Sequence, residues 1–219
     1  MDSDGQESNH GLGLGPSSAE PPGRRQRRQA EIRERLVRSA FLLFAERGFN
    51  ATTVEDITNL ADVGKGTFFN YFPSKEYIFA ARVEGQMEKI QRFAAQTCHS
   101  TEPMDELLYR LAVSLTGDAG SSPAMLHSIL VAVFSNESVR GIMADGLEKG
   151  RKFLEELIVL RQQRGEIRDD LAAGEITLGF QRALLGTVFL WSLAPSKPLA
   201  DCLREMSNTV WSAIRRRST

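Results

Sequence analysis

The stretch TVEDITNLADVGKGTFFNYF, residues 53 to 72, reads as two short helices around a tight turn. The run Thr52-Thr53-Val54-Glu55 predicts a capping box, in which a hydroxyl accepts an amide hydrogen of the first turn while Glu55 reaches back. Val54, Ile57 and Ala61 then recur at helical spacing, Asp62-Val63-Gly64 breaks the period, and Lys65 to Phe72 resumes it with Phe68, Phe69 and Phe72 apolar. This is a helix-turn-helix pattern, and in such units the second helix enters a DNA major groove.

Upstream, the basic run RRQRRQAEIRERLVRSA from Arg24 turns helical, with Ile32, Leu36, Ala40, Leu43 and Phe44 on one face and Gly48 as a candidate C-cap. Six of the twelve phenylalanines (41, 44, 49, 68, 69 and 72) fall between residues 41 and 72, which suits the core of a three-helix unit too small to pack with slender side chains. Downstream, Ser74 is the expected N-cap of a helix running to about Thr97, with Ile78, Phe79, Val83, Met87, Ile90 and Phe93 apolar.

The formal charge of -1 hides an uneven distribution. Residues 1 to 23 carry four acids and no base, whereas residues 24 to 75 carry ten Lys/Arg against six acids. The positive charge therefore sits around the motif, where a local footprint suffices to neutralise phosphates. The Arg24 to Arg28 arm can enter an adjacent minor groove or stand as a solvated basic run. The first 23 residues, rich in Gly, Ser and Pro, form a disordered tail by composition. They lack a basic start and an apolar core, and no segment has 18 consecutive apolar residues; a cytoplasmic protein with no membrane partner is expected.

Beyond Thr97 the pattern stays helical, at roughly 104 to 116, 124 to 135, 139 to 164, 172 to 193 and 198 to 216. No stretch alternates as a strand, so the fold class is all-α. Residues 176 to 193 are apolar on nearly every face, and such a helix needs burial on all sides. Two terminal helix pairs facing across a two-fold axis supply that, which predicts a homodimer through residues 172 to 216. The expected interface residues are Phe180, Leu184, Val188, Leu203, Met206, Val210 and Ile214. The alternative is a terminal hairpin packed only on its own domain.

In order, Ala40, Phe44, Gly48-Phe49, Thr52-Thr53-Val54-Glu55-Asp56-Ile57, Ala61 to Thr67 and Asn70-Tyr71-Phe72-Pro73-Ser74-Lys75-Glu76 make a specific set. On these residues the chain, over about 30 to 90, resembles the tetracycline-repressor (TetR) family of bacterial transcriptional regulators. Further on, the resemblance thins to helix lengths and the Gly165-Glu166-Ile167-Arg168 turn. It implies a DNA-binding domain over residues 24 to 75 and a larger helical effector-binding and dimerisation domain over 76 to 219. It also implies a homodimeric repressor, bound to a double-stranded DNA operator and released by a small apolar effector.

The residues expected to contact DNA are Thr53, Lys65, Gly66, Thr67, Asn70, Tyr71 and Lys75. Lysines neutralise phosphates, Gly66 lets the backbone approach closely, and Thr67 and Asn70 carry short hydrogen-bonding groups. Taken singly, each has a plainer reading as a solvated Lys, a helix-starting Gly or a Tyr at a domain seam. The candidate pocket residues are Met87, Phe93, Leu111, Leu126, Phe134, Leu147, Phe153 and Phe180, although such a stripe is also what plain core looks like. Where the family pattern has Gly, Ser and Tyr, this chain has Asp62, Gly64 and Phe69. Asp tolerates positive φ, Gly is a passable N-cap, and a phosphate-directed hydroxyl is absent at Phe69.

Enzymatic readings find no support. Gly64-Lys65-Gly66 resembles the end of a P-loop, but no Ser/Thr follows Lys65 and Asn59 stands in the first glycine's place. Gly11-Leu12-Gly13-Leu14-Gly15 follows no strand, and His10, His99 and His127 are too scattered for a metal site. Cys98 and Cys202 form no metal or thioredoxin-like spacing and read as reduced structural thiols or a redox switch. No catalytic group, metal or cofactor is expected. The reading from another class is a small-molecule-binding or interaction protein of this fold without operator control.

Overall fold

The computed structural model describes residues 23–97, 100–117 and 122–216. The tail through residue 22, with His10 and the Gly11 to Gly15 run, lies outside the described residues, as do Cys98 and His99. The helices are α1 (Arg24–Arg47), α2 (Val54–Leu60), α3 (Lys65–Tyr71), α4 (Ile78–Thr97), α5 (Met104–Thr116), α6 (Pro123–Ser135), α7 (Glu137–Gln163), α8 (Ala173–Leu193) and α9 (Leu199–Ile214). The protein is all-helical among the described residues, with an isolated antiparallel bridge between Ile167 and Arg215.

Local chemistry explains the boundaries of the N-terminal unit. Gly48, at φ 86, ends α1 in a conformation that a side chain would strain, and its N–H donates to the Phe44 carbonyl. The cap of α2 falls one residue later than its spacing suggested. Thr53 Oγ1 accepts from the Asp56 N–H at 3.1 Å, and Asp56 Oδ2 accepts from the Thr53 N–H at 2.9 Å. Thr52 is instead fully buried and donates its hydroxyl to the Gly48 carbonyl at 2.8 Å. Asp62 takes the left-handed conformation (φ 51) that the turn demands. Ser74 does not cap a helix: its hydroxyl goes to the Glu76 carboxylate, and a short 3-10 turn, Lys75–Tyr77, leads into α4.

Two hydrophobic cores result. One gathers Leu36, Phe41, Phe44, Phe49, Ile57, Phe68 and Phe72 around Ile78 and Phe79 of α4, and closes with Leu126 and Ile129 of α6 and Val139 of α7. The core under the helix-turn-helix therefore takes in the start of α4 through Ala81. The other core lies between α4, α5, α7, α8 and α9, with Ile90, Phe93, Leu107, Leu111, Leu157 and Phe180 inside. α4 thus has one end in each core. It lies close on α7: a Cβ at Gly146 would come 2.6 Å from a Val83 methyl, so the helices meet there almost backbone to side chain.

The terminal pair corrects the interface expectation. Phe180, Leu184, Leu203, Met206 and Ile214 are buried in the chain's own core, and Val188 and Val210 pack half-buried against it. Periodicity cannot tell which side of an all-apolar helix faces inward. The unpartnered apolar face of α8 consists of Leu185, Phe189, Leu190 and Leu193, with Leu190 65% exposed. α8 is long and apolar enough to cross a membrane by length and composition, yet its other face packs on α7 and α9.

The strained turn yields a stability test. Replacing Asp62 by Val should cost about 1–2 kcal/mol, because a β-branched residue resists positive φ, whereas Gly should change stability by less than about 1 kcal/mol. Urea denaturation measures both, and equal stability of the Val variant would contradict this turn geometry.

Candidate nucleic-acid interface

α3 divides cleanly by face. Phe68 is fully buried, and Phe72, which ends the helix, is nearly so. Lys65, Gly66, Phe69 and Asn70 are exposed, while Thr67 and Tyr71 are half-buried at the edges. Nothing lies within 4 Å of where a Cβ of Gly66 would sit, so the backbone there is open to an approaching surface. Gly64 caps the helix without a side chain, and its carbonyl accepts from the Thr67 N–H at 2.8 Å.

Phe69 was grouped with the packing phenylalanines, but half of it is exposed. Its ring stands edge-on to Phe68, at 5.4 Å between centroids, and lies within the exposed arc between Lys65 and Asn70. The signal in the sequence is its spacing four residues after Lys65, which puts it on the side of that lysine and about 100° round the helix from Phe68.

Two of the expected contacts are occupied inside the protein. The Thr53 hydroxyl is committed to Asp56 at the cap of α2, donating to Oδ2 at 2.7 Å while accepting from the backbone N–H. Those bonds, with the nearby Arg47, hold the Asp56 carboxyl below its ordinary value. The Lys75 ammonium turns inward: it donates to the Phe49 and Thr52 carbonyls, both at 2.8 Å, and sits 4.4 Å from the centre of the Phe49 ring. Burial lowers its pKa from the usual lysine value. The lysine therefore ties the loop between α1 and α2 to the start of α4.

The pocket residues separate into three groups. Phe93, Leu111 and Phe180 line a small apolar cavity of about 20 Å³, together with Leu157, Ile176 and Thr177. Met87 and Phe153 pack against the same core. Leu126 belongs to the other core, and Phe134 and Leu147 point to solvent, so these three do not line the cavity. Thr177 is the one polar residue of the lining, and its hydroxyl already donates to the Ala173 carbonyl at 2.8 Å. Cys202 is a free thiol in an open groove between α8 and α9, and no cluster of three or more metal-ligating side chains occurs among the described residues.

Residues 36–81 match the family model for bacterial regulatory proteins of the tetR family. The HTH-type transcriptional repressor DhaR of Mycobacterium sp. (strain GP1) is 31% identical over 144 residues, 64% of this chain and 72% of that protein. The fold superposes on a TetR-family regulator from Syntrophomonas wolfei with a TM-score of 0.71 at 16% identity, covering 84% of this chain and 95% of that one. It also superposes on Thermus thermophilus FadR, a TetR-family repressor in complex with lauroyl-CoA, with a TM-score of 0.57 at 24% identity, covering 85% and 97%.

The inward turn of Lys75 separates it experimentally from Lys65. Lys75→Met should cost about 1–3 kcal/mol of stability, because two carbonyls lose a charged donor, and should leave the salt dependence of DNA binding unchanged. Lys65→Met should leave stability alone and reduce the slope of log affinity against log salt by about 0.9, the loss of one phosphate contact. A reduced slope with intact stability for Lys75→Met would contradict the anchoring role.

Proposed function

The chain belongs to the TetR family of bacterial regulatory proteins and is a helix-turn-helix regulator of transcription, and on that premise we propose that it is a homodimeric repressor released from its operator by an uncharged apolar ligand. The observation that carries the ligand response is α4, with Ile78 and Phe79 in the core under the motif and Ile90 and Phe93 in the core around the cavity. A rigid helix held at both ends transmits movement between them.

In this reading Asn70 and Thr67 address base edges, Gly66 permits close approach, and Lys65 and Tyr71 meet phosphates. Phe69 offers apolar contact of the kind that recognises a thymine methyl. Thr53 and Lys75 hold the motif in shape. The DNA-binding domain then comprises residues 24 to about 81, and the remainder binds the effector and the second subunit.

The second subunit covers the exposed apolar face of α8. Leu185, Phe189, Leu190 and Leu193 form a patch beside the α8–α9 groove, which has a volume of about 570 Å³ and is lined in part by Gly186, Trp191, Met206 and Val210. A paired α8–α9 bundle buries this face and fixes the separation of the two recognition helices.

The effector's chemistry follows from the cavity. A charged group there would lose its hydration and meet no partner, at a cost of several kcal/mol. An acyl chain, as in the lauroyl-CoA held by the Thermus protein, has suitable chemistry. The cavity of about 20 Å³ is near the size of a single water, so a ligand enters only by parting α4, α5, α7 and α8. That displacement is what reaches the motif. A ligand preferring the parted form by about 5.5 kcal/mol turns a 99:1 population into 1:99.

Selection of bound fragments from genomic DNA tests the operator reading. A near-palindrome should emerge, and Asn70→Ala should relax its sequence preference rather than weaken all sequences alike. An absence of enrichment would leave a ligand-binding protein of this fold without operator control. For the dimer, sedimentation should show two subunits for the wild type and a folded monomer for Leu190→Glu. A wild-type monomer at micromolar concentration would remove the proposed interface.

A further inference from the structure

Arg161, in the last turn of α7, is the largest fully buried side chain among the described residues. Burying a guanidinium is costly unless its charge and its N–H groups are met. Its charge is met, because Nη1 donates to the Glu166 carboxylate at 2.7 Å. Nη2 donates to the carbonyl of Thr97, the last residue of α4, also at 2.7 Å. The Nε–H is equally buried and has no acceptor among the described residues. The two Nη bonds fix the plane of the rigid fork, so this donor cannot swing away to find one. An unmet N–H on a buried charged group is a standing cost, and it marks a place where a partner has still to be supplied.

The neighbours of Arg161 say where that partner enters. It stands one turn beyond Leu157 and Ile158 on α7, and Thr97 stands one turn beyond Phe93 on α4. Phe93, Leu157 and Ile158 all line the apolar cavity, as does Ile214 at the end of α9, where the bridge between Ile167 and Arg215 closes the bundle. The guanidinium therefore lies about 5 Å, one helical turn, along α7 from an otherwise apolar lining. The hydroxyls at hand are spent. Thr97 donates to the Phe93 carbonyl at 2.8 Å, and Thr177 donates to the Ala173 carbonyl at 2.8 Å. The Arg161 Nε–H is the donor left.

We propose that the effector carries one neutral acceptor oxygen, a ketone or ester carbonyl at one end of an apolar body, and that the Arg161 Nε–H binds it. This rests on the reading of the cavity as the effector site. A carboxylate fits less well: Glu166 already balances the guanidinium, and a second carboxylate would leave a net negative charge beside a buried pair. A wholly apolar molecule fills the cavity and leaves the donor unmet. The same guanidinium holds the last carbonyl of α4, so ligand and helix meet at one side chain.

The test compares octan-2-one with 2-methyl-1-octene, which has the same shape with a methylene in place of the oxygen, on the full-length protein. In the wild type the ketone should move the Arg161 Nε–H resonance and show a carbonyl stretch below its frequency in hydrocarbon solvent. The alkene should bind without moving that resonance. The variant Arg161→Met/Glu166→Gln removes the donor together with its countercharge. It should lower ketone affinity by roughly tenfold or more and change alkene affinity by less than about threefold, with circular dichroism and thermal unfolding to show that it folds. If it does not fold, the two wild-type spectra decide alone. Binding of both compounds with the resonance unmoved and the carbonyl unshifted would overturn the acceptor site and leave the cavity as the effector site. Binding that survives in a folded Leu111→Trp variant would place the compounds elsewhere and overturn it too. If neither compound binds, the acceptor site and the cavity reading fail together, and operator selection judges the DNA-binding reading separately.

Discussion

Phe79 is where the two halves of this molecule are joined. Fully buried, it stacks on Phe44 at 5.8 Å and meets Phe41 and Phe49 edge-on at 5.5 and 5.7 Å, although it belongs to α4 and they belong to α1 and the loop after it. Each such ring pair is worth about 0.5–1.5 kcal/mol beyond the area it buries, so the start of α4 cannot leave the helix-turn-helix unit cheaply. Three to four turns later Ile90 and Phe93 are fixed in the other core, and between the two the closeness of Gly146 to Val83 leaves α4 little room against α7. A shift at the cavity must tilt the whole helix or break one of these contacts.

The electrostatics follow the same logic. Lys75 gives its ammonium to the Phe49 and Thr52 carbonyls and to an aromatic face at the junction, adding a charged donor to acceptors of the loop before α2. On α3, by contrast, Lys65 stands exposed outside both cores. The contrast separates charges that hold the reading head in position from charges available to a ligand.

Much of this was legible in the chain. The helix-turn-helix, the positive φ at Asp62, the Gly48 stop and the helical spans all rest on local rules of spacing, capping and backbone freedom, and they stand within a residue or two except at α4, which begins at Ile78 after a 3-10 turn and not next to Ser74. The errors came where a local pattern admits two answers. Thr52 and Thr53 both suit a cap, and only burial of Thr52 against the end of α1 chose between them. Phe69 looks like its neighbours in composition but faces outward, and the apolar residues of α8 and α9 offered no mark of which face the chain itself would bury. Lys75 is basic and near the motif, yet its direction depends on a carbonyl pair more than 20 residues away in sequence. Phe134 and Leu147 share helical spacing with true cavity residues but lie on outer faces.

The proposed ligand response requires that the cavity and the DNA-reading surface be coupled through α4. It is tested most directly by measuring that coupling in both directions. Given an uncharged apolar compound that stabilises the protein, operator affinity is titrated with and without saturating compound, and compound affinity with and without saturating operator. The account predicts equal and opposing effects, each within the roughly 5–150-fold range of allosteric coupling, because binding linkage is reciprocal. A compound that binds in the cavity, as shown by loss of its binding in a cavity-filling Leu111→Trp variant that still folds, yet leaves operator affinity unchanged would contradict it.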